Sequence, residues 1–168
     1  MELPDEDADV VDMFVRWLYR KTIDHDVVEM PAPERQRECL MQDFRLFILA
    51  EKYDVRSLQA SICEDLFDIA TGYQNKVPSF AMLEFVYANT HRKAMIRKFI
   101  ADWFASTDMS NWQDKEKPTD MISTDWLYQI PEFSVDLALA LCNPYGRTGF
   151  NSGKSSYMQS LRKKTGWN

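Results

Sequence analysis

Glycine is scarce in this 168-residue chain: there are five, and four of them (Gly146, Gly149, Gly153 and Gly166) fall after residue 145. A body so poor in glycine has few positions for left-handed turns, which excludes a fold built from many tight hairpins. No window of ~18 or more apolar residues exists, so no membrane-spanning helix is expected. The first residues run into Pro4-Asp5-Glu6-Asp7, where a signal peptide needs positive charge followed by apolar residues. Three cysteines, Cys39, Cys63 and Cys142, are widely separated inside apolar helical patterns. Metal and redox sites use closely spaced pairs, so these read as buried thiols of a reducing compartment, placing the chain in the cytoplasm or nucleus.

Catalytic material is equally thin. The two histidines are His25, between Asp24 and Asp26 in a short polar link, and His91, in a basic turn. His25 reads as a solvated loop histidine, and no Ser or Cys nucleophile lies in a recognisable signature around either. Gly153-Lys154-Ser155 lacks the upstream glycine of a phosphate loop. The expectation is therefore no enzyme, no cofactor, no metal site and no small-molecule substrate.

What is present is apolar and helical. Hydrophobic residues make up 45% and aromatics 13% of the chain, enough for one domain with a real core, or one domain plus a tail. The net charge of −6 is uneven: Arg147, Lys154, Arg162, Lys163 and Lys164 give residues 144–168 a charge of +5 with no acid, which leaves −11 for the rest. An acidic body is a poor nucleic-acid platform. The tail's cations, with Tyr157 and Trp167, offer an alternative of weak nucleic-acid binding or a nuclear-import patch at Arg162, Lys163 and Lys164.

Periodicity predicts a helix from Ala8 to Arg20, capped by Asp5 or Asp7, with Val10, Phe14, Trp17 and Leu18 inward. Thr22 to Met30 allows at most a short edge strand at Val27-Val28 before Pro31 and Pro33. Glu34 to Tyr53 is the predicted central helix, because Phe44, Leu46, Phe47, Ile48, Leu49 and Ala50 make it apolar on nearly every side. The chain breaks at Asp54 and restarts with Val55, Leu58, Ile62, Leu66 and Ile69, closing at Gly72. A second pair follows, from Pro78 to Asn89 and from Thr90 to about Phe104, with His91, Arg92 and Lys93 in the second helix's first turn. Cations are disfavoured there. Asp108 to Pro118 reads as a surface connection and Asp120 to Tyr128 as a short helical turn. Pro131 opens a last helix with Phe133, Leu137 and Leu141 on one face. The expected fold is all-α, an orthogonal bundle of about six helices with a disordered C-terminal tail.

Two sets of residues carry a family resemblance. Leu3-Pro4-Asp5-Glu6-Asp7 with Phe14-Val15-Arg16-Trp17-Leu18-Tyr19, and Leu46-Phe47-Ile48-Leu49-Ala50-Glu51-Lys52-Tyr53-Asp54-Val55 with Leu58, resemble the second half of a BTB/POZ domain of the type common in fungal proteins. Phe85-Val86-Tyr87-Ala88-Asn89-Thr90, Ile96-Arg97 and Asp102-Trp103 are similar to the helical extension that follows it in those proteins. The resemblance implies residues 1–72 as the C-terminal half of such a domain, 73–143 as a helical extension and 144–168 as a basic tail. Only the end of the family's last core strand, at Glu2-Leu3, is matched. The chain is thus expected to be either a fragment or truncated gene product, or a diverged protein folding on its helices. The function implied is a non-catalytic protein–protein interaction module, a scaffold or adaptor. Its partner would be a cullin-type ubiquitin-ligase scaffold or a second copy, with Tyr19, Tyr53, Asp54 and Val55 near the partner-facing region.

Overall fold

The computed structural model describes residues 7–25, 32–72, 77–107, 124–142, 150 and 153–165. All regular structure among them is helical: α1 (Ala8–Arg20), α2 (Ala32–Lys52), α3 (Arg56–Gly72), α4 (Phe80–Asn89), α5 (Met95–Ser106), α6 (Thr124–Gln129), α7 (Pro131–Cys142) and α8 (Lys154–Thr165). The all-α expectation holds, with eight helices among the described residues where about six were expected. The strand expected at Val27-Val28, the strand end at Glu2-Leu3 and the connection around Trp112 lie outside the described residues. The chain forms two compact units, Met1–Ile62 and Cys63–Asn168, and α3 runs from one into the other.

In the first unit α1 packs on α2. Asp7 caps α1, its carboxylate accepting from the Asp9 N–H at 3.1 Å, and also reaches Arg45 of α2 at 3.3 Å. Lys21 closes the helix in the left-handed conformation, its N–H bonded to Trp17 O. The buried face is Val10, Met13 and Trp17. This is a correction of the expected face: Met13 takes the inward place given to Phe14, which is only half-buried, and Leu18 is turned out to solvent. Phe44, Leu46, Phe47, Leu49 and Ala50 of α2 are buried, as their apolar surroundings in sequence require. At the α2–α3 link Asp54 adopts φ 52°, while Val55 N–H bonds to Ala50 O at 2.8 Å and Gln59 Nε2 donates to the same carbonyl at 3.2 Å. The chain reverses here without glycine, since Asp tolerates this region better than most residues. Helix α3 ends at Gly72, where the sequence closes it, and this glycine keeps a negative φ.

The second unit is built around α5, where ten of twelve residues are buried, including Arg97 and Asp102. Helices α4, α7 and α8 pack on it, and α6 packs on α7. His91, Arg92 and Lys93 lie in the turn before α5, which begins at Met95, so these three stand outside its first turn; Arg97, which falls within it, donates to the Tyr87 and Thr90 carbonyls. On α7 the inward face is Phe133, Leu137 and Ala140, and Leu141 is exposed.

The C-terminal segment corrects the expectation of disorder. Gly153, at φ 95°, starts α8, and Tyr157, Met158 and Leu161 are buried. Phe150 lies 4.8 Å from both Phe67 and Tyr157 and 5.6 Å from Phe99, measured between ring centroids, forming an aromatic cluster with α3 and α5. Tyr157 also donates to buried Asp102 at 3.1 Å. The apolar residues of this segment are few, but α3 and α5 offer them rings, and ring pairs at such separations add stability beyond their buried area.

Candidate functional site

The sequence-predicted partner residues all belong to the first unit. Tyr19 is 86% exposed, and Val15 and Leu18, four and one residues before it, are exposed on the same side of α1. Opposite the buried Val10–Met13–Trp17 stripe, α1 therefore carries a second apolar stripe facing water. Tyr53 and Asp54 are exposed and Val55 is half-buried in the α2–α3 link, where Asp54 also accepts from Arg56 at 3.1 Å. Tyr53, Asp54 and Val55 are brought together by the turn itself; no described contact joins them to Tyr19. A further set of exposed apolar side chains, Tyr128, Val135 and Leu139, lies on α6 and α7 of the second unit.

Of the basic patch, Arg162 pairs with Glu64 at 3.3 Å, Lys163 is exposed, and the Lys164 side chain lies outside the described residues. Lys154 pairs with Asp68 at 2.6 Å. Two cations of the tail thus face acids of α3.

Three buried polar centres were not apparent from the sequence. In the first, His25 Nε2 and Asp43 Oδ1 share a hydrogen bond at 2.8 Å. Asp43 is fully buried, and its Oδ2 reaches no hydrogen-bond partner. His25, read from the sequence as a solvated loop residue, is half-buried instead, while neighbouring Asp24 pairs with Arg20 at 3.5 Å. Burial pushes the Asp43 carboxyl above the ordinary carboxylate range, and His25 opposes the shift. One turn earlier on α2, burial and the Asp43 charge push the Cys39 thiol up as well. A nucleophilic cysteine needs the reverse, so these three residues do not make an activated thiol.

In the second centre, Arg97 donates to Thr90 Oγ1 at 3.0 Å, to Tyr87 O at 2.7 Å, to Thr90 O and to Glu132, and stacks 4.6 Å from the Tyr87 ring centroid. Tyr87 in turn donates to Asp136 at 3.0 Å, and burial followed by the Asp136 charge raises its pKa. In the third, Asp102 accepts from Lys98 at 3.0 Å and from Tyr157, whose hydroxyl is pushed well up by burial and by Asp102. The one sequence signal for these centres is a charged residue on an otherwise apolar helix face, as Asp43 sits between Leu40 and Phe47.

A cavity of about 120 Å³ lined by Asp9, Asp12, Met13, Arg16 and Gln42 is far smaller than the ~300 Å³ or more of small-molecule sites. Among the described residues no group of three His, Cys, Asp or Glu side chains is placed to hold a metal ion. No described helix is long and apolar enough to cross a membrane. Comparison with protein families, with curated proteins and with solved structures finds no match.

Proposed function

We propose that the chain is a non-catalytic protein–protein interaction module of BTB/POZ type that works in the cytosol or nucleus as a scaffold or adaptor. The observation that carries this reading is the outward stripe Val15, Leu18 and Tyr19 on α1, with Tyr19 86% exposed. Aromatic side chains on an exposed helix face are the usual anchors of protein interfaces. Further support comes from where the resembling segments fall. Phe14 to Tyr19 lies within α1, Leu46 to Val55 spans the end of α2 and its sharp link, and Phe85 to Thr90 closes α4. The orthogonal helix packing of that family belongs to the same proposal, supported at the α2–α3 link by the left-handed Asp54 and the short turn. Among the described residues the cysteines form no disulfide, which suits a reducing compartment.

The specific partner proposed is a cullin-type scaffold. Purified full chain, immobilised, is expected to retain purified cullin scaffold at micromolar concentration. If nothing is retained, the adaptor role is dropped, and light scattering of the chain alone from ~1 to ~100 µM then decides whether a second copy is the partner.

A further inference from the structure

We propose that the His25–Asp43 hydrogen bond is a proton-operated clasp: the protonated imidazole holds the segment following α1 against α2, and loss of that proton loosens it. The geometry favours a charged partner. Asp43 is 0% exposed, its Oδ1 shares a hydrogen bond with His25 Nε2 at 2.8 Å, and its Oδ2 reaches no hydrogen-bond donor. A carboxylate buried with half its acceptor capacity unused is costly unless a full positive charge stands beside it. The His25 side chain is 19% exposed, so water can deliver and remove its proton. Imidazoles change charge between about pH 5 and 8, within the range a cell traverses.

The neighbouring groups do not replace His25. Cys39 lies one turn before Asp43 on α2, and its thiol could add only negative charge. Arg20 on α1 is directed to Asp24. Among the described residues, His25 is the group that favours the ionised form of Asp43. Asp43 itself works in the same direction. A carboxyl whose pKa is raised by folding contributes stability that is fully present below its unfolded range and is lost as pH rises through the raised value. Rising pH therefore leaves a buried carboxylate and then withdraws its counter-charge. The segment released is Lys21 to His25, which leads directly from the end of α1.

The test uses the full chain carrying His91→Gln, which leaves His25 as its sole histidine. The melting temperature is expected to fall by about 3–10 °C between pH 5.5 and 8.0, as the buried carboxylate loses its cationic partner and keeps only a neutral imidazole donor. Amide exchange at residues 21–25, corrected for its intrinsic pH dependence, is expected to speed up several-fold over the pH range in which the His25 ring titrates by NMR. Adding His25→Gln, which keeps a donor but cannot take a proton, should remove most of that melting slope. An unchanged slope with His25→Gln overturns the proposal. Should that variant fail to fold, the exchange measurement on the His91→Gln chain decides, and protection that stays constant while the ring titrates overturns it.

Discussion

At the scale of single residues, the fold depends on how its buried charges are satisfied. Arg97 is 4% exposed and divides its donors among a hydroxyl, two backbone carbonyls and one carboxylate. Arg97→Met would keep the apolar stem and orphan the Tyr87 and Thr90 carbonyls, which α4 alone does not satisfy. Urea unfolding is expected to show a loss of about 2–4 kcal/mol. Tyr157→Phe removes one donor from Asp102 and leaves Lys98 in place, so its expected cost is smaller, about 1–2 kcal/mol. If Tyr157→Phe costs more than Arg97→Met, the assignment of the guanidinium as the principal polar tie of the second unit is wrong. These centres were illegible in the sequence because their partners are remote: Asp102 and Tyr157 are 55 positions apart, and His25 and Asp43 are 18 apart across a proline-containing link. Asp24 and Asp26, adjacent in sequence, suggest a solvated His25, whereas the structure sets it against Asp43 of α2.

At the scale of elements, the helices easiest to read were those whose start, stop and face are written locally. Helix α1 runs from Ala8 to Arg20 as expected, because Asp7 caps it and its apolar residues recur at helical spacing. Its inward face shifts nonetheless, since Met13 and Phe14 both suit the core and only packing chooses between them. The shift bears on the proposed interface, for it places Leu18 beside Tyr19 in water. Helix α8 was missed for the opposite reason. Its Tyr157, Met158 and Leu161 are sparse among serines and cations, and their receiving surface, Phe67 and Phe99, is made by α3 and α5. Propensity alone does not hold so short and polar a helix. Deleting residues 150–168 would strip four buried side chains from that surface, each contributing ~1.5–3 kcal/mol by burial, a sum comparable to the whole stability of an ordinary domain. The truncated chain is expected to lose its cooperative melt by circular dichroism. A melt within ~2 °C of the full chain would contradict the docked position of α8.

At the scale of the whole molecule, charge and apolar surface divide the work. The tail carries +5 against −11 elsewhere, and Lys154 and Arg162 meet Asp68 and Glu64. Exposed ion pairs of this kind stabilise by no more than ~1 kcal/mol and weaken with salt. The aromatic cluster, with the buried Tyr157–Asp102 bond, therefore holds α8 more firmly than its charges do. Helical class was legible from composition and period; the compact units were not, because their boundary falls inside α3, between Ile62 and Cys63, where periodicity is unbroken. The exposed apolar stripe of α1 was only half legible. Sequence singled out Tyr19, but its companions Val15 and Leu18 become a surface only once the inward face of α1 is known. The central claim is that this stripe receives a protein partner. Its most direct test is titration calorimetry of the full chain against purified cullin scaffold, comparing wild type with Leu18→Asp after matching their thermal melts. The account predicts micromolar binding by wild type and at least a tenfold weaker association for Leu18→Asp, from a charge set into an apolar contact. Equal affinity for the two chains would contradict it.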